Sequence, residues 1–152
     1  MLYFAYGSNM DPVQMRERCP GSAFAGIGML QGHGLCFPRY SIARKCGAAS
    51  YEADPARNLW GVVYRMTESD FVRLDGNEDY RPDRAPALNS YNRLEIDVLM
   101  ANVPTRVHTY LANPQDGVHS PSAAYLRHLQ EGARHHGLPE DYRLLLERLA
   151  SG

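Results

Sequence analysis

Apolar residues along this chain fall into short runs with two different spacings. The run Leu2 to Tyr6 is unbroken, aromatic and short, which predicts a buried strand. It stops at the turn formers Gly7-Ser8-Asn9. Asp11-Pro12 then starts a helix, with Asp as cap and Pro at the first helical position. Val13 to Arg18 continue it and Pro20-Gly21 ends it. From Ser22 to Leu35, Gly and Ala surround Ile27, Met29 and Leu30, which predicts a bent strand bulged at Gly26, Gly28 or Gly32. Gly34 to Tyr40, broken by Pro38, and Ala48 to Glu52 are shorter strand candidates. Leu59 to Met66 (LWGVVYRM) is the clearest strand, with paired Val and aromatic flanks.

Helical spacing begins at Thr67. Thr67 and Asp70 have capping-box separation, Phe71 and Leu74 give one apolar face, and Gly76-Asn77 is the expected stop. Tyr91 to Met100 alternates strictly. Leu94, Ile96, Val98 and Met100 share one face, and Arg93, Glu95 and Asp97 the other, as in a half-buried strand. Asn102 to Pro104 reads as a turn into a partner strand, Thr105 to Leu111. Ser120-Pro121 starts a helix that Gly137 stops near His136. Pro139 starts another over Glu140 to Leu149, with Tyr142, Leu145 and Leu149 on one side. Arg81 to Asn89 is the most loop-like segment. Strands outnumber helices without alternating regularly with them, so the class is α+β with a curled sheet or small barrel.

The chain has 152 residues, 44% of them hydrophobic and 22% charged. That supports one domain spanning 1–152 with a real core. Sixteen basic against seventeen acidic residues leave a net charge of −1. Nothing there favours nucleic acid or an anionic membrane as partner. No run of ~18 apolar residues suggests a membrane span. The start MLYFAYGSNM has no leader character, so the cytoplasm is the expected location. Cys19, Cys36 and Cys46 are odd in number and lack CxxC spacing. They read as small, half-buried apolar residues rather than a disulfide framework or zinc site. None of the six histidines has metal-ligand spacing, and surface positions are expected for them. The aromatics Tyr3, Tyr6, Trp60, Tyr64 and Phe71 read as core.

Two segments can carry chemistry. In FAYGSNMDP a buried strand runs into Gly-Ser-Asn and then a helix start. Such a junction can present consecutive N–H groups to a carboxylate, a phosphate or a developing oxyanion. Taken alone it reads first as a plain structural turn, since many strand-to-helix turns of this kind bind nothing. With one Gly and no following Lys it is neither a dinucleotide fingerprint nor a phosphate-cradling Walker loop. In LDGNEDY, the negative helix end and the neighbours Asp75 and Asp79 should resist ionisation of Glu78. A carboxyl so perturbed suits general acid/base work near neutrality. Taken alone, this segment reads as a solvated acidic helix end. No GxSxG elbow supplies a serine nucleophile.

FAYGSNM at the N-terminus, WGVVYRM running into LDGNEDY, and SPSAAYLRHLQEGARHHGLPEDY near the end together resemble the gamma-glutamylcyclotransferase-like (AIG2-like) family. The similarity spans nearly the whole chain in order and spacing. It implies a compact α+β fold around a small mixed β-barrel with flanking helices and a cavity. It also implies that the loop Tyr6, Gly7, Ser8 and Asn9 binds a γ-glutamyl moiety, largely through backbone groups. Glu78 falls on the family's acid/base, and Tyr110, in HTYLA, on a cavity-lining tyrosine. The implied reaction converts a γ-glutamyl amine or peptide into 5-oxoproline and a free amine, with no metal and no cofactor. The implied partner is a small γ-glutamyl substrate, and a homodimer stays open.

The residues suit that chemistry. The substrate's own α-amine attacks its γ-carbonyl, so nucleophile and electrophile are already tethered. Glu78 would take the ammonium proton and return it to the leaving amine. The Gly7-Ser8-Asn9 turn would hold either the oxyanion or the α-carboxylate. Two other readings stand beside this one. The same cyclisation could remove a γ-glutamyl tag from a larger metabolite, or the fold could bind an acidic metabolite without chemistry. The Pro- and Arg-rich stretch between Tyr80 and Tyr91 is the expected gate to the cavity. Within it and just beyond, Arg81, Arg84 and Arg93 could meet an anionic substrate, but solvent is the expected surrounding.

Overall fold

The computed structural model describes residues 1–152. Its strands are β1 (Leu2–Ala5), β2 (Ala23–Ser41), β3 (Cys46–Arg65), β4 (Tyr91–Met100) and β5 (Val103–Ala112). They close into a barrel in the order β1-β3-β2-β4-β5. β1 runs antiparallel to β3 and parallel to β5, so the barrel is mixed. Helices α1 (Pro12–Arg18), α2 (Glu68–Asn77), α3 (Ala123–His135) and α4 (Glu140–Glu147) flank it. The expected α+β barrel class is therefore the observed one. No helix is long and apolar enough to cross a membrane.

The largest departure from the sequence expectation is strand length. Four short strand candidates are in fact two long ones, β2 with 19 residues and β3 with 20. The ladder survives its interruptions through register shifts at Phe24/Gly26, Gln31/His33 and Cys36/Arg39. Gly26 (φ 155°) and Gly32 (φ 69°) sit at the first two, in backbone that side chains rarely adopt. Pro38, which has no N–H to give a ladder, falls inside the third. Gly28 pairs regularly with Gly61 and is not a bulge.

Other boundaries move for local reasons. Ala101 and Asn102 both have positive φ (47° and 64°) and form the two-residue turn that joins β4 to β5. Val103 and Pro104 are already paired in β5 instead of forming the turn. Ser122, not Ser120, caps α3 by accepting from Tyr125 N at 3.1 Å. Ser120 is used elsewhere: its carbonyl accepts from Gly47 N and ties this segment to the start of β3. α4 buries Tyr142 and Leu146, while Leu145 is largely exposed. Cys19 and Cys46 are fully buried and Cys36 half-buried, all as free thiols.

α3 decides where the end of β1 goes. Residues Ser8–Met10 form a single 3-10 turn, buried beneath this helix. A Cβ on Gly132 would lie 2.3 Å from the Met10 backbone carbon, so only glycine allows this approach. Gly132→Ala is expected to cost about 2–3 kcal/mol in urea unfolding. Gly76, in α2, has nothing within 4 Å of a built Cβ and no positive φ. Gly76→Ala is expected to gain about 0.5–1 kcal/mol in the same measurement.

Candidate active site

β1 ends at Ala5, and the chain turns through Tyr6 and Gly7 into the 3-10 turn. The N–H groups of Gly7, Ser8 and Asn9 donate to no acceptor within the protein. Asp11 closes the unit: it caps α1 through Val13 N (3.0 Å), and its second oxygen meets His128 Nδ1 of α3 at 2.6 Å. Tyr64 from β3 donates to the Asn9 carbonyl at 2.9 Å. The loop is thus held from three sides while its amides stay free.

Its side chains are equally fixed. Asn9 Oδ1 accepts from Gln14 Nε2 (2.9 Å) and Arg18 Nη1 (3.1 Å). Its Nδ2 donates to the Tyr3 hydroxyl at 2.9 Å and reaches Glu78 Oε1 at 3.4 Å. Ser8 Oγ accepts from Gln14 Nε2 (2.8 Å) and Arg44 Nη2 (3.3 Å), which leaves its own hydrogen free to donate. Arg44 also bonds Gln14 Oε1.

Glu78 arrives from α2. The Thr67–Asp70 capping box opens this helix as expected. The expected stop at Gly76-Asn77 is achieved by a Schellman closure, with Tyr80 N bonded to Asp75 O (2.9 Å) and Asp79 N to Gly76 O (3.3 Å). Asp79 takes the left-handed position (φ 53°) where glycine is usual. Its carboxylate is anchored by Ser90 Oγ (2.7 Å) and Arg84 Nη2 (3.0 Å). Glu78 is therefore the cap residue of a locked helix end.

Its side chain is only 16% exposed. Burial pushes its pKa up, against the opposing pull of Arg18, Arg44 and the Asn9 amide, and the Asp75 charge adds to the rise. The upward direction matches the sequence argument, but the cause is mainly desolvation. The carboxylate that adds to the rise is Asp75 rather than Asp79; hydrogen bonds to Ser90 and Arg84 hold the Asp79 carboxyl below the usual range.

These groups surround a cavity of about 710 Å3. Tyr6, Gly7, Ser8, Asn9, Glu78 and Tyr110 all line it. Tyr6 donates to the Tyr110 carbonyl at 2.5 Å, and Tyr110 donates to Asp75 Oδ1 at 2.6 Å. Sequence reasoning missed Arg18 and Arg44, whose basic side chains carry no local motif, and treated Tyr3 as core only. The expected gate is only partly in place, since of the stretch between Tyr80 and Tyr91 only Ser90, with Tyr91 at its end, lines the cavity. Residues 81–89 do not line the cavity, whereas the β2–β3 tip, Tyr40 to Arg44, and Gln115 do. Arg84 is engaged by Asp79 and Asn89, and Arg93 lies over the Phe71 ring at 4.7 Å, so neither simply faces solvent. Of the histidines only His135 is exposed. No group of three His, Cys, Asp or Glu side chains is placed to hold a metal ion.

A profile of the AIG2-like family matches residues 58–146, more than half of the chain. The chain belongs to the AIG2-like family. The gamma-glutamylcyclotransferases of Mus musculus and Homo sapiens are each 29% identical to it, over 97% of this chain and 78% of theirs. A solved gamma-glutamyl cyclotransferase superposes with a TM-score of 0.89 at 27% identity, covering all of this chain and 89% of the other. These relatives support a gamma-glutamylcyclotransferase-like function for this AIG2-like protein.

The electrostatics of Glu78 have a measurable consequence. A carboxyl whose pKa is higher folded than unfolded favours the fold while protonated, and that contribution is lost as pH rises through the folded value. Glu78→Gln is neutral throughout. It should melt a few degrees above wild type at pH 7, with the difference closing towards pH 4, as read by thermal denaturation across pH.

Proposed function

We propose that this protein is a gamma-glutamylcyclotransferase that cyclises a γ-glutamyl amine or peptide to 5-oxoproline, with Glu78 as the general acid/base. The observation that carries this reading is the buried Glu78 carboxyl, 3.4 Å from Asn9 of the YGSN turn, inside one cavity. The volume of about 710 Å3 lies in the usual range for small-molecule sites and leaves room for a leaving group beside the glutamyl moiety.

The reaction needs three things from the protein. The substrate must be folded so that its α-nitrogen meets its γ-carbon, which converts tethering into rate. The α-ammonium must lose a proton, and a carboxyl raised by burial is a suitable acceptor. The oxygen of the tetrahedral intermediate must be stabilised, and the free N–H groups of Gly7, Ser8 and Asn9 with the Ser8 hydroxyl are the available donors. The new C–N bond closes the lactam. The old C–N bond breaks as Glu78 returns the proton to the leaving nitrogen. Atoms balance without water, metal or cofactor. Three free cysteines suit a reducing compartment such as the cytoplasm.

Incubation with γ-glutamyl amino acids, γ-glutamyl amines and glutathione should release 5-oxoproline from at least one of them. Glu78→Gln should retain the fold and lose ~10²–10⁴-fold in kcat. An undiminished rate in that variant removes Glu78 from the mechanism. Ligand binding without product from any substrate moves the assignment to a binding role.

A further inference from the structure

Asp75 precedes Glu78 by one helical turn of α2 and sits beneath the cavity wall without lining it. Its carboxylate is half-buried, with a side chain 15% exposed. Tyr110, one strand face away from the buried pair Val107 and Thr109, donates its hydroxyl hydrogen to Asp75 Oδ1 at 2.6 Å. Arg93 supplies the positive charge nearby. Its guanidinium is stacked over Phe71 (4.7 Å) and near Tyr80 (5.8 Å), with Nη1 3.6 Å from the same Asp75 oxygen. Burial pushes the Asp75 pKa up, and the Tyr110 hydroxyl, Arg93 and His108 pull against that rise; the ionised carboxylate they favour can only accept.

The polarity of the Tyr110 hydroxyl follows. Its one hydrogen is committed to Asp75, so the phenolic oxygen has only lone pairs left for the cavity. Burial and the Asp75 carboxylate both hold that proton on Tyr110, well above the ordinary tyrosine range. The rest of the wall is rich in donors: the free amides of Gly7, Ser8 and Asn9, the Ser8 hydroxyl, Arg18 and Arg44. Beside these donors Tyr110 and Glu78 are acceptors, as are the Asp79 carboxylate and the Tyr6 and Tyr91 oxygens, whose hydrogens are committed to the Tyr110 and Ala49 carbonyls. An amine is the group of a γ-glutamyl ligand that needs them.

We propose that Asp75 is a positioning residue that fixes the Tyr110 hydroxyl as a hydrogen-bond acceptor for the ligand's α-amine, and so makes the site select ligands that carry one. This rests on the γ-glutamyl reading of the cavity. In the reaction, Tyr110 accepts one N–H of the amine while Glu78 takes the proton that must leave, and the nitrogen lone pair is turned to the γ-carbon. Asp75 touches no substrate atom and acts only through Tyr110.

The test compares two small ligands that differ only at this group. L-Glutamate carries the α-amine and glutarate lacks it. Calorimetric binding to wild-type protein should favour L-glutamate. Asp75→Asn, which keeps shape but lets the new amide donate to Tyr110, should cut that preference about tenfold. Tyr110→Phe should cut it comparably, and the double variant should lose no more than either single one. A role in folding alone would lower both affinities together and leave their ratio unmoved. The proposal is overturned by an unchanged ratio in Asp75→Asn, by additive losses in the double variant, or by wild-type protein that binds both ligands equally or neither. Failure of the cyclotransferase reading looks different: no 5-oxoproline from wild type, with the glutamate preference and its dependence on Asp75 intact.

Discussion

Everything at the candidate site depends on the contact between Gly132 and Met10. A strand of four residues, Leu2–Ala5, closes the barrel by pairing with β3 on one side and β5 on the other. So short a strand cannot dictate where its own continuation runs. α3 does, because the missing side chain at Gly132 lets the helix backbone lie directly on the 3-10 turn. The turn is then pressed between helix and barrel, with the Asn9 carbonyl taken up by Tyr64 and the Ser8 carbonyl by the Asp11 N–H. Three consecutive amides are left without partners inside the protein. Unpaired amides are costly when buried, and an arrangement that keeps them beside a cavity is coherent if a ligand completes it.

The second element of the site is a carboxyl placed by a helix end that breaks a local preference. Asp79 occupies a left-handed position that glycine fills in most helices, and its bonds to Ser90 and Arg84 hold it there. Strain at Asp79 thus positions the residue before it. Glu78 stands where burial raises its proton affinity, while Arg18 and Arg44 restrain the rise. Burial and cations act in opposite directions on one group, the balance expected where a single carboxyl both takes and gives a proton.

Buried tyrosines form the remaining framework. Tyr3, Tyr6 and Tyr110 belong both to the hydrophobic core and to the cavity wall. Their rings pack edge-on or stacked, and their hydroxyls reach fixed partners. An amphipathic side chain can serve both roles because its ring fills volume while its tip remains polar. A core reading of Tyr3 from the sequence was therefore correct and incomplete.

Much of this was legible in the sequence where the signal is local. Alternation in Tyr91 to Met100, the Thr67–Asp70 cap, the Asp11-Pro12 start and the YGSN turn each state their own conformation through nearest-neighbour sterics and hydrogen bonds. Breaks in the chain were less legible. Gly32 and Pro38 look like strand ends, yet β2 passes both, because its long ladder to β3 outweighs a bulge. The arginines were least legible of all. Arg18 and Arg44 reach the cavity from a helix and a hairpin tip far apart in the chain, and Arg93 lies over the Phe71 ring where solvent exposure was expected. By itself the sequence determined the α+β class and most of the elements, since these follow from local propensity, while its resemblance to a known family singled out the turn and its carboxyl. Only the tertiary structure decided which charges meet at the cavity, which loop lines its mouth and why Glu78 is perturbed, since desolvation and long-range contacts have no signature in residue order.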